Sequence, residues 1–67
     1  MNIAVNGTSR AIPSGTSLIE VLAEVVGDST EGMAIALNGE VVRRAAWPSV
    51  QLTNGDAIEV VHAKQGG

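Results

Sequence analysis

The sequence predicts an α+β domain in which a mixed five-strand sheet packs on one main helix. Three observations carry this. Five short segments read as strands, three of them alternating apolar with small or polar residues at the period of a half-buried strand. One segment, between the second and third of these, switches to the apolar spacing of a helix. The chain has only 67 residues, one domain at most, so the helix must bury its stripe against the sheet.

Met1, Ile3 and Val5 alternate with Asn2, Ala4 and Asn6. Asn6-Gly7 follows, a pair that tolerates the positive φ of a tight hairpin turn. Thr8 to Ile12 reads as the return strand, ended by Pro13. Ser17 and Glu20 then fit a capping box, in which each side chain satisfies a backbone N–H of the first turn. Leu18, Val21, Leu22 and Val25 fall at i, i+3, i+4 and i+7, while Glu20 and Glu24 lie off that stripe. Gly27 suits the position just past a helix, where a left-handed backbone carries no Cβ clash. The spacing predicts a helix from Ser17 to Val26.

Asp28 to Gly32 is a polar loop. Met33, Ile35 and Leu37 then alternate with Ala34, Ala36 and Asn38, a strand with small residues on one face. Asn38-Gly39 repeats the hairpin signal, and Glu40 to Arg43 is the partner strand. Ala45 to Val50 is expected to be irregular, because Pro48 pushes Trp47 toward an extended shape. Asn54-Gly55-Asp56 makes another turn. Ile58 to His62 is the last strand, with Ile58, Val60 and His62 on one face. Residues 1–63 form the expected domain, and residues 64–67 a flexible tail ending in Gly66-Gly67.

Composition narrows the function. A domain of this size buries only about 60% of the surface its unfolded chain exposes, and its net stability is about 3–5 kcal/mol. There is no cysteine, so no disulfide can staple it. His62 is the single histidine, and with no thiolate available a zinc site is not expected. The core must therefore be Val, Ile, Leu and Ala around the one aromatic residue, Trp47. A net charge of −3 with four Lys and Arg residues argues against nucleic acid. No apolar run approaches the ~20 residues that span a bilayer, and the first residues lack the pattern of a signal peptide. The expectation is a soluble, cytoplasmic protein.

Side-chain catalysis is not expected. The chain has neither Cys nor Tyr, and His62 has no triad partners at recognisable spacing. The carboxylates are scattered and read as solvating charges. The unusual feature is the end. Two residues without Cβ make the thinnest and most flexible backbone available, able to thread a narrow channel into another protein's active site. A carboxylate is a poor acyl donor, but attack on the α-phosphate of ATP would turn it into an acyl-adenylate. Sulfur could then displace AMP and leave a thiocarboxylate, with no side chain of this chain taking part.

The whole chain resembles the ThiS-type sulfur carriers of thiamine biosynthesis, within the ubiquitin-like β-grasp family. The resemblance rests on Met1-Asn2-Ile3 with Asn6-Gly7, Thr16-Ser17-Leu18 opening a helix with Leu22, and the run Ala34 to Val42 around Asn38-Gly39. It continues through Arg44, Trp47, Leu52, Asn54-Gly55-Asp56, Ile58-Glu59-Val60-Val61 and the terminal Gly66-Gly67. Family members often carry Pro where this chain has Val42 or Arg43, and many have an aromatic residue in the last strand. The resemblance implies a β-grasp fold with the first and last strands parallel and adjacent in mid-sheet. It implies a carrier, not an enzyme. An E1-like adenylating enzyme of the ThiF type would activate Gly67 with ATP and magnesium. A cysteine desulfurase route would supply the sulfur, and thiazole synthase of the ThiG type would take it. Two alternatives share the Gly-Gly end: the small subunit of molybdopterin synthase and a ubiquitin-like protein modifier.

Several residues are candidates for partner contact. Ala34, Ala36, Val61 and Ala63 should share the sheet face opposite the helix, a smooth apolar patch suited to docking. Arg43 and Arg44 could pair with an acidic partner surface. His62 and Lys64 lie beside the tail and could steer docking. Trp47 reads as a plug at the edge of the core, since its large ring has no other aromatic to pack with.

Overall fold

The computed structural model describes residues 1–27 and 30–62. The elements follow as β1 (Asn2–Val5), β2 (Thr8–Ala11), α1 (Leu18–Val25), β3 (Met33–Leu37), β4 (Glu40–Val42), a 3-10 helix (Arg44–Ser49) and β5 (Ala57–His62). They form one five-stranded sheet in the order β2-β1-β5-β3-β4. Strands β1 and β5 run parallel, with Val5 opposite Ile58. The other neighbours are antiparallel. The expected domain end at residue 63 and the tail of residues 64–67 lie outside the described residues.

The helix forms where the capping box places it. The Glu20 N–H donates to Ser17 Oγ (3.3 Å), and the Ser17 N–H donates to Glu20 Oε1 (2.9 Å). The Ser17 N–H first, and then the Ser17 hydroxyl donating to the same Oε1 (3.0 Å), hold the Glu20 carboxyl below its ordinary pKa. Past the C-cap Val26, Gly27 takes a φ of +88°. Its N–H and that of Val26 both donate to the Leu22 carbonyl, which closes the last turn. The stripe read from the sequence faces inward. Leu18, Val21 and Leu22 are buried in one cluster with Ile3, Val5, Met33, Ile35, Trp47, Leu52 and Ile58, and Val25 packs at its margin. No polar side chain among the described residues is buried in it.

The asparagines of the three Asn-Gly pairs do more than turn the chain. Each accepts a backbone N–H from one of the two central strands. Asn6 Oδ1 takes the Val60 N–H (2.8 Å). Asn38 Oδ1 takes the Ala57 N–H (2.9 Å). Asn54 Oδ1 takes the Asn2 N–H (2.7 Å). The carboxamides thus extend the ladders of β1 and β5 past the strands themselves, satisfying donors that would otherwise need water. Asn6 and Asn38 sit at φ of +49° and +50°, the left-handed region that asparagine tolerates best after glycine.

One expectation is corrected. The segment around Trp47 is not irregular but a 3-10 helix, with Pro48 inside it. Tertiary contact overrides the local preference of a residue before proline. Trp47 is buried, and its indole N–H donates to the Val42 carbonyl (2.9 Å), which turns the chain back onto the core. Arg44 covers the ring from outside, its guanidinium 4.5 Å from the ring centroid. The same guanidinium donates to the hydroxyl and the carbonyl of Thr30. Arg44 therefore ties the loop before β3 to the tryptophan.

Two measurements check this packing. Leu22→Ala should cost about 2–5 kcal/mol, comparable to the whole stability of a domain this small. A chemical-denaturation midpoint near that of the parent chain would contradict it. Arg44→Ala should lower stability by about 1–2 kcal/mol and shift the emission of the single tryptophan to the red. An unchanged emission maximum would show that the guanidinium does not shield the ring.

Candidate functional site

Sheet pairing divides the side chains into two sets. Val5, Ile58, Ile35 and Leu37 point toward α1. Their neighbours point away and have no helix over them. On this open face Ala34 stands opposite Val61, and Ala36 lies between Glu59 and Val41 on the flanking strands. Ala4 and Ala57 continue the face toward β1. Val61 is 57% exposed and Val41 77%. The sheet therefore presents a surface of small residues with two exposed valines, crossed by one carboxylate, Glu59.

Of the candidate contacts, Ala34, Ala36 and Val61 come together as expected. Ala63, Lys64, Gly66 and Gly67 lie outside the described residues. His62 is the last described residue of β5 and pairs with Met33, which places it on the helix side of the sheet rather than with Val61. It lines a shallow groove with Asn6, Val25, Val26, Glu31 and Val60. The adjacent arginines part company. Arg44, itself exposed, lies over the Trp47 ring and donates to Thr30. Arg43 is exposed and borders a groove with Leu37, Glu40, Val41, Val42 and Ala46.

Sequence reasoning did not assign Val41 or Glu59 to this face. The doublet Val41-Val42 hides which valine points in, and only the register with Ile35 and Ala36 settles it. Glu59 could have been placed by parity, one step from the buried Ile58. Nothing on the face resembles a catalytic centre. Among the described residues no three His, Asp or Glu side chains gather as metal ligands.

Comparison with known proteins identifies the architecture. The model of the ThiS family matches residues 3–67. The sulfur carrier protein ThiS of Thermus thermophilus is 40% identical over 63 residues, covering 94% of this chain and 95% of that protein. The crystal structure of the thiamine biosynthesis protein ThiS from Geobacter metallireducens superposes with a TM-score of 0.85 at 30% identity, over the full length of both chains. A solution structure of a thiamine biosynthesis protein from the same organism gives 0.78 at 30% identity, covering all of this chain and 88% of that one. Of the carrier types the sequence left open, these matches carry the ThiS name. The chain has the β-grasp fold and belongs to the ThiS family.

Proposed function

We propose that this chain is a sulfur carrier of thiamine biosynthesis whose working group is the carboxylate of Gly67. The observation that carries the reading is the place of β5. It is the middle strand, bonded to β1 on one edge and β3 on the other. The described part of β5 ends at His62, and five residues follow it in the sequence as far as Gly67 (67 − 62 = 5). A stretch of five residues can span at most about 17 Å, enough to enter a partner's active site while the domain stays outside. The family match extends through Gly66 and Gly67.

The chemistry belongs to the carboxylate and the partners. In an E1-like enzyme of the ThiF type, holding ATP and magnesium, the Gly67 carboxylate oxygen attacks the α-phosphorus and pyrophosphate leaves. The outer sulfur of a partner's cysteine persulfide, charged through a cysteine desulfurase route, then displaces AMP to give an acyl disulfide, and a partner thiol cleaves its S–S bond, leaving the thiocarboxylate and a disulfide. The terminal sulfur attacks an electrophilic carbon bound to thiazole synthase of the ThiG type. Cleavage of the acyl carbon–sulfur bond, with an oxygen derived from water, regenerates the carboxylate. This chain is substrate and donor throughout, not catalyst.

The open face is the docking surface in this reading. Ala34, Ala36 and Val61 offer a flat apolar contact, and the exposed carboxylate of Glu59 favours a partner with a cation opposite it. Arg43, just past β4, would flank the contact. His62 would meet a partner only if it wraps the end of the sheet. Arg44 contributes through Trp47 and Thr30 rather than by reaching outward.

Deleting Gly67 tests the site. The shortened chain should unfold at the same temperature as the full one and support no ATP–pyrophosphate exchange with its cognate adenylating enzyme. Normal exchange would overturn the assignment of Gly67.

A further inference from the structure

An Asn-Gly step carries a latent reaction. The glycine nitrogen has no neighbouring side chain to hinder its attack on the asparagine carboxamide carbon. A C–N bond forms, ammonia leaves, and a cyclic imide results. Water then opens the imide at either carbonyl, giving aspartate or isoaspartate. Water is the only co-reactant.

The chain has three such steps, and the structure makes one of them different. At Asn6 and Asn54 a strand N–H is donated to the carboxamide oxygen, a role that an aspartate oxygen can also fill. Asn38 is held at both ends. Its oxygen accepts from the Ala57 N–H (2.9 Å), and its Nδ2 donates to Asp56 Oδ1 (3.0 Å). Asp56 in turn accepts from the backbone N–H of Thr53 (2.8 Å). An acid at position 38 would lose that donor and bring a second carboxylate against the first.

We propose that Asn38 is a deamidation site that folding holds shut, and that its conversion unfastens β3 from the start of β5. The two hydrogen bonds keep the carboxamide carbon from swinging toward the Gly39 nitrogen. The glycine itself is uncrowded, since a Cβ built on it would meet nothing within 4 Å. Local opening therefore exposes both the reacting atoms and a path for water. Once the amide is lost, two like charges occupy a spacing that tolerates one. The Asp56 carboxyl already lies below its ordinary pKa, held there first by the Thr53 N–H and then by the Asn38 amide. It is therefore charged at neutral pH.

The full-length chain should be incubated at mildly alkaline pH, folded and in urea, with peptide mass mapping of residue 38. Conversion should be roughly tenfold or more slower in the folded chain, because it waits on local opening. Equal rates would show that the hydrogen bonds do not protect it. Asn38→Asp should lower the urea midpoint more than Asn6→Asp or Asn54→Asp does. Combining Asn38→Asp with Asp56→Asn restores one amide facing one carboxylate and should recover most of the loss. A midpoint for Asn38→Asp equal to the parent's, or no recovery in the double variant, would overturn the proposal.

Discussion

The hydrogen bonding of β5 along both edges is the constraint on which the rest of this structure depends. The last strand of the sequence is the middle strand of the sheet, between β1 and β3. Its Ile58 is 1% exposed, beneath a helix whose buried stripe completes the core. A terminal strand at the edge of a sheet would fray with the residues that follow it. Here the strand that precedes Gly66-Gly67 in the sequence is paired along both edges.

The same pairing separates stability from recognition. Alternation along each strand sends Ile3, Val5, Ile35 and Ile58 toward α1 and leaves Ala34, Ala36, Glu59 and Val61 on the far side. None of these open-face residues belongs to the buried cluster, so the core does not depend on them.

Much of this was legible in the sequence because it is local. Alternation and Asn-Gly turns placed the strands to within a residue or so. Ser17, Glu20 and Gly27 marked both ends of the helix. What was not legible depends on residues far apart in the chain. The register that points Val41 outward comes from Ala36 across the sheet. The bonds from Asn54 to Asn2 and from Asn6 to Val60 span most of the sequence, so those asparagines read only as turn formers. The 3-10 helix at Trp47 forms against the preference of a residue before proline, because burying the indole outweighs it. Arg44 is a surface charge, and its bond to Thr30, fourteen positions earlier, is made only by the fold. At the candidate site, the apolar face followed from strand parity. The roles of Gly66 and Gly67 were read from the chemistry of the sequence and from family resemblance.

The central claim is that the C-terminal carboxylate carries sulfur. Intact-mass analysis of the protein purified from sulfur-replete, thiamine-starved cells tests it most directly. The account predicts a species in which one oxygen of the Gly67 carboxylate is replaced by sulfur, and which an alkylating agent traps at that end of the chain. Recovery of the protein joined by isopeptide bonds to other proteins, and never as the thiocarboxylate, would contradict it.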